Sequence, residues 1–350
     1  VGASDDFNIN YIAYIFKENN ESPIMIPLLI DKKYEDEFTK KINFNSANQK
    51  SIIDFIKTRE SYNKVWSPLL PHIKNNKRIY LCPDGIFHQF PFDLLEDEKK
   101  NSITDSIEIV RVINSGNIIK LKQQELKNNS KFHAILVGNP DFNLSNTCNT
   151  TSKKTQPLPE TIEEIDNTTI FLKNKGWNVT RLIGKNANEG FLKKINSPTI
   201  LHIATHGNYQ NKNVTTPFES FKNHYLKLAG CDCNKKNNND DNGLLNGEEI
   251  QHINLKHTKL VILSACKTGN GSTVNAEGLL GLSKAFKIAG AESIISTLWN
   301  VNSNITVEFM KHFYDNFTQT KNKLQAFKYA KKNIKQNWGN EFSSGYILIN

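Results

Sequence analysis

From residue 158 onward, short apolar runs alternate with stretches of helical length, and this alternation limits the fold more than any other feature of the chain. The spacing predicts helices over 160–175, 188–195 and 278–289 and a helix pair across 306–337. Between them it predicts strands over 178–182, 199–204, 260–264 and 293–297. Strands separated by helices build βαβ units, whose strands lie parallel in a sheet covered on both faces. Runs such as Leu260-Val-Ile-Leu263 are apolar at every position, as burial on both faces requires. The C-terminal two-thirds is therefore read as α/β with a mostly parallel sheet.

The preceding part is more varied. Two apolar runs, Tyr11 to Phe16 and Ile24 to Ile30, flank a polar turn and read as a hairpin. Helices are expected over 51–62 and 65–73, followed by a strand over 78–82 that stops at the turn Pro83-Asp84-Gly85. A weak strand over 107–113, a helical stretch to about 126 and a polar link lead to a strand over 133–137. That strand runs into Gly138-Asn-Pro-Asp141, an altered repeat of the earlier strand-to-turn unit. A length of 350 residues suits two domains, and the boundary is placed near 127–132, giving 1–130 and 131–350. Residues 143–156 are rich in Asn, Ser, Thr and Lys and 233–242 offer nothing apolar beyond Cys233 to bury, so both read as loops.

The formal charge of +9 raises the question of nucleic acid, yet the basic residues are 40 Lys and only four Arg, scattered among Asn. Base readout and phosphate forks favour Arg, so the balance argues against direct nucleic-acid binding. No run approaches the roughly 18 apolar residues of a membrane helix, and Asp5 and Asp6 stand where a secretory signal carries cations. Five cysteines, an odd number without the density of a disulfide framework, fit a reducing compartment, so a cytoplasmic location is expected.

In open α/β sheets, function collects beyond the carboxyl ends of the strands. Two expected strands end in reactive side chains: one runs into Thr205-His206-Gly207, the other into Ser264-Ala-Cys266. If the strands are neighbours, an imidazole and a thiol emerge side by side. The imidazole can lower the thiol pKa and later carry the proton to a leaving group, while the Gly207 and Cys266 amides can converge on a developing oxyanion. Those parts suit acyl transfer. The plainer alternative is a buried cysteine beside a structural histidine. Cys231-Asp-Cys233 with His202 and His224 lacks the spacing of a zinc site, and the glycines near 269–281 match neither a phosphate-binding loop nor a dinucleotide fingerprint. Asp84 and Glu277 read as cap or loop-ordering carboxylates.

Several runs together resemble one family. They are Leu201-His-Ile-Ala-Thr-His-Gly207, Leu244-Leu-Asn-Gly-Glu-Glu-Ile250, Leu260 to Gly269, Glu277 to Ala291 and Ser296-Thr-Leu-Trp-Asn-Val301, with Trp66 to Leu70 and Pro83 to Phe92 upstream. In this order they are similar to the CHAT-domain family of caspase-like cysteine peptidases. The resemblance implies a caspase/separase-type three-layer α/β fold, in which an N-terminal half without a dyad supports an active C-terminal half. It implies His206 as general base, Cys266 as nucleophile, the Gly207 and Cys266 amides as oxyanion hole, and no metal or organic cofactor. It also implies a protein substrate and control by a partner or a fused N-terminal sensor such as tetratricopeptide repeats, in some members in bacterial defence. This chain shows no such repeats and begins without Met, as a portion of a longer protein would.

Two departures stand out. Lys267 occupies a position where the family often has Glu, and Trp299-Asn-Val-Asn-Ser303 replaces a Trp-x-Val-x-Asp pattern. The substrate pocket is accordingly assigned to Asn300 and Asn302, with Asp232 and Glu277 as carboxylates that could join it. A neutral residue is expected before the cut. The rival readings are a catalytically silent caspase-like scaffold for protein–protein contacts and another cysteine-dependent acyl transferase.

Overall fold

In the computed structural model, which describes residues 11–18, 21–42, 49–113, 116, 118, 132–144, 154–209, 221–233, 241–264, 276–299 and 301–350, contacts divide the chain into units 1–111 and 112–350. The segment around 127–131, where the sequence places a boundary, lies outside the described residues, as do 145–153 and 234–240.

In the first unit, β1 (Tyr11–Ile15) and β2 (Ile24–Leu28) form the expected antiparallel hairpin. Helices α1 (Lys32–Ile42), α2 (Gln49–Ile56) and α3 (Arg59–Val65) follow. The single helix expected over 51–62 is thus two. Thr58 turns extended, and its side chain accepts the Ser61 amide at 3.2 Å, which stops α2 and caps α3. Beyond Trp66 the chain makes a 3₁₀ turn and then the short α4 (Leu70–Ile73), because Pro68 and Pro71 supply no amide donors. Strands β3 (Arg78–Leu81) and β4 (Glu108–Arg111) pair in parallel. Between them Asp84 accepts the Gly85 amide at 2.9 Å, the capping role read from the sequence. Arg111 is buried among Phe87, Phe90 and Phe92, donating to the carbonyls of Phe87, His88 and Phe90. Burial pulls its pKa down to about 10.

The second unit contains a sheet in the order β13-β12-β11-β7-β5-β6. Its strands are β5 (His133–Pro140), β6 (Asn178–Gly184), β7 (Ile200–Ala204), β11 (Leu260–Leu263), β12 (Ile294–Thr297) and β13 (Tyr346–Ile349). All neighbours run parallel except β12 and β13. Successive residues of one strand enter opposite cores, which is what makes the apolar runs continuous. Ile200, Ala204, Leu260 and Ile262 pack under α5 (Glu160–Asn174), α9 (Ser303–Thr320) and α10 (Lys323–Trp338). Leu201, Ile203, Val261 and Leu263 join a second core with α6 (Glu189–Leu192), α7 (Gly247–Ile250) and α8 (Ala276–Ile288). The result is the three-layer α/β arrangement with a mostly parallel sheet.

Three features depart from the sequence expectations. The helix expected over 188–195 is a single turn capped by Asn188, and β13 was absent from the reading. A small antiparallel sheet of β8 (Gly207–Tyr209), β9 (His224–Lys227) and β10 (Leu244–Asn246) was absent as well. No helix among the described residues is long and apolar enough to cross a membrane.

Candidate active site

Strands β7 and β11 are parallel neighbours in the register Leu260↔Ile200 to Leu263↔Ile203, and the Ser264 amide continues the ladder by donating to the Ile203 carbonyl at 2.9 Å. The two chains therefore leave the sheet at one edge. Just beyond β7, Thr205 donates through its hydroxyl to the Lys227 carbonyl at 2.5 Å, and the His206 carbonyl accepts the Lys227 amide at 2.8 Å. Strand β9 so fixes the backbone that presents His206. Gly207 opens β8 opposite Leu226. Cys266 and Lys267 lie outside the described residues.

The His206 side chain is 9% exposed, with the Phe142 ring 5.4 Å away between centroids. Its Nε2 is 2.8 Å from the Gln156 carbonyl oxygen. A carbonyl only accepts, so Nε2 carries the proton, and in the neutral imidazole the lone pair sits on Nδ1. That tautomer is the one in which Nδ1 can take a proton.

Beside this edge lies a cavity. Leu158, Glu160, Thr161 and Glu164 enter it from the start of α5, Thr205, Ser264 and Thr297 from strand ends, and Val301, Ser303 and Thr306 from the approach to α9. Below it runs a chain of buried polar contacts. Glu164 places Oε1 2.9 Å from His202 Nε2 and accepts the Ser264 hydroxyl on Oε2 at 3.1 Å; His202 Nδ1 lies 3.1 Å from the Tyr314 hydroxyl. Burial, reinforced by the Glu164 charge, holds the Tyr314 pKa well above the usual phenol range. Sequence reading passed over Glu164, Ser264 and Tyr314. The signal was His202 itself, an imidazole inside the apolar run Ile200 to Ala204, which cannot be buried without partners.

Of the four pocket candidates, the two described side chains, Asn302 and Asp232, do not line this cavity. Asn302 is exposed and caps α9, accepting the Asn304 amide at 2.9 Å. Asp232 accepts the Thr155 amide and hydroxyl, each at 2.7 Å. Asn300 and the Glu277 side chain lie outside the described residues. Burial drives the Cys231 thiol pKa up to about 12, the reverse of what a nucleophile needs. Cys233 carries a disulfide, which the odd and sparse cysteine count did not predict. Among the described residues no three His, Cys, Asp or Glu side chains group as a metal cage.

His224 illustrates the close packing behind the site. Its ring lies against α8 at Gly281, where a Cβ would overlap it, so glycine at this position serves packing. Burial pushes the His224 pKa from 6.5 down to about 4. The folded state then resists a proton that the unfolded chain accepts. Stability is fully present above pH 6.5 and is lost by about 1.4 kcal/mol per pH unit as pH falls toward 4, levelling off below. Urea midpoints measured across this window should show that slope in the wild type and a shallower one in His224→Gln; equal slopes would remove His224 as the cause.

The CHAT domain matches residues 57–342 of the sequence. Among solved structures, the chain is similar to the Saccharomyces cerevisiae separase–securin complex at 14% identity and a TM-score of 0.46, covering 77% of this chain and 15% of that one. It is also similar to the Arg-specific cysteine proteinase gingipain R, at 11% identity and a TM-score of 0.42, covering 91% and 75%. The Porphyromonas gingivalis RgpB pro- and mature-domain complex gives 11% identity, a TM-score of 0.44 and coverage of 91% and 76%. The chain thus spans 15% of the length of the first of these. No curated protein sequence matches it.

Proposed function

The chain belongs to the CHAT domain family, and from that premise we propose that it is a cysteine endopeptidase that cleaves a partner protein with a Cys266–His206 dyad. The observation that carries this reading is the in-register pairing of β7 and β11, which sends the His206 segment and the segment leading to Cys266 out of the sheet at the same edge. In the proposed reaction His206 Nδ1 takes the thiol proton and the thiolate adds to the scissile carbonyl. The Gly207 and Cys266 amides hold the oxyanion. His206 then hands the proton to the leaving amine, and water, deprotonated by the same imidazole, hydrolyses the acyl-enzyme. No metal or organic cofactor takes part. The family resemblance supports cytoplasmic work, in bacterial defence, under the control of an upstream sensor or partner. An iodoacetamide-type probe tests the assignment: it should modify Cys266 ahead of the exposed Cys82, and a scaffold would show no such preference.

The cavity at the strand ends is the proposed seat of the substrate side chain before the cut. The segment after Trp299 lends it Val301 and Ser303, neutral groups, and the Glu164 carboxylate there is already engaged by His202 and Ser264. A buried cation needs an opposite charge to offset its desolvation. A peptide library varied at that position is expected to show acceptance of neutral residues. Strong selection for Arg or Lys would instead assign Glu160, on the cavity wall, as the charge that recognises them.

A further inference from the structure

We propose that Glu164 is a positioning residue for the dyad, an inference that rests on the peptidase reading above. Glu164, His202 and Tyr314 are 4%, 0% and 1% exposed, and they join α5, β7 and α9, with Ser264 adding the end of β11. One assignment of protons satisfies every group. The Tyr314 hydroxyl donates to Nδ1 of His202, Nε2–H donates to one Glu164 oxygen, and the Ser264 hydroxyl donates to the other. The two strands thus hold separate oxygens of a single carboxylate. Only when both strand ends stand at the right height are both oxygens satisfied, and a buried carboxylate missing one partner is costly.

A buried ionic group is poor at adding stability, since well-packed apolar side chains of similar volume serve as well or better. What it adds is direction. Ser264 lies two residues before Cys266 and His202 four before His206, so the shared carboxylate sets how both segments leave the sheet. A small displacement between nucleophile and base is enough to lower a rate by one or two orders of magnitude.

The test is the pH profile of Cys266 alkylation by iodoacetamide, followed by mass spectrometry with Cys82 as internal reference, in the wild type, Ser264→Ala, Ser264→Thr and Glu164→Gln. Thermal melting of each variant checks the fold. Ser264→Ala, which cuts one link and removes little volume, should slow Cys266 modification at neutral pH about tenfold and move the profile toward that of an ordinary thiol. Cys82 should stay unchanged. Ser264→Thr, which keeps the hydroxyl, should recover most of the loss, and Glu164→Gln, which can still bond both neighbours, should fall between. Cys266 rates within twofold of the wild type in Ser264→Ala and Glu164→Gln would overturn the inference and leave the network a packing device. The peptidase reading fails separately, if wild-type Cys266 reacts no faster than Cys82; the difference between variants still decides the role of Glu164.

Discussion

Replacing Cys266 with Ala, or His206 with Ala, is expected to lower kcat/KM for a cleavable peptide by about 10³-fold or more, because each removes one half of a proton-transfer and attack unit. The double replacement should be no worse than either single one, since neither residue acts without the other. Folding should survive the His206 change. The side chain lies beyond the end of β7, and removing its bond to the Gln156 carbonyl costs about 1 kcal/mol. Cleavage products mapped by mass spectrometry, with melting temperatures in parallel, give the measurement. Full turnover by either single variant would sink the dyad, and loss of activity together with loss of folding would shift the His206 effect from chemistry to structure.

The largest effect expected on stability comes from α9. Phe309 is fully buried, stacked on Tyr346 of β13 with ring centroids 3.9 Å apart and planes 6° from parallel, and edge-on to Phe327 of α10 at 5.8 Å. Phe309→Ala removes the wedge between two helices and a strand, and aromatic surroundings of this kind collapse poorly into the space left. A loss of about 3–5 kcal/mol is expected. For a unit of this size that lowers the melting temperature by roughly 10 °C. Ile288→Ala, at a side chain 58% exposed on α8, should change stability by less than about 0.5 kcal/mol. Equal effects at the two sites would mean that the α9 layer contributes little to folding.

What the sequence displays and what it conceals follows from distance along the chain. Strand β11 is legible as a continuous apolar run, β7 as one broken only by His202 and β12 from the pair Ile294-Ile295 after the Gly290 turn, and α5, α8, α9 and α10 because their apolar positions recur at helical spacing. Strand β13, Tyr-Ile-Leu-Ile, is apolar and follows the turn Ser344-Gly345, but it is only four residues long at the end of the chain and was passed over. Strands β8, β9 and β10 owe their extended form to one another, and no local pattern reports a partner still to come. The His206 and Cys266 segments stand out because an imidazole and a thiol follow directly on legible strands. Glu164 looks like any solvated glutamate on a helix, and only the fold brings it to His202, 38 residues on, and Ser264, 100 residues on.

The crossover from β7 to β11 spans residues 205–259 and holds the small sheet and α7. Loop-closure entropy grows only with the logarithm of length, about 0.6 kcal/mol for each doubling, so added residues in such a segment weigh little against two strands locked in register. The pairing of β7 with β11 is set by their own ladder and by the cores on either face, one of which includes Leu226, Leu228, Leu245 and Ile250 of the crossover itself. Within it, β8 to β10 and α7 are constrained, since β9 holds the His206 backbone and Leu226, Leu245 and Ile250 pack into the core, but the chain between those elements can lengthen or change while the β7–β11 edge keeps its geometry. Sequence differences are free to accumulate in those stretches, apart from the two strands that frame the candidate dyad.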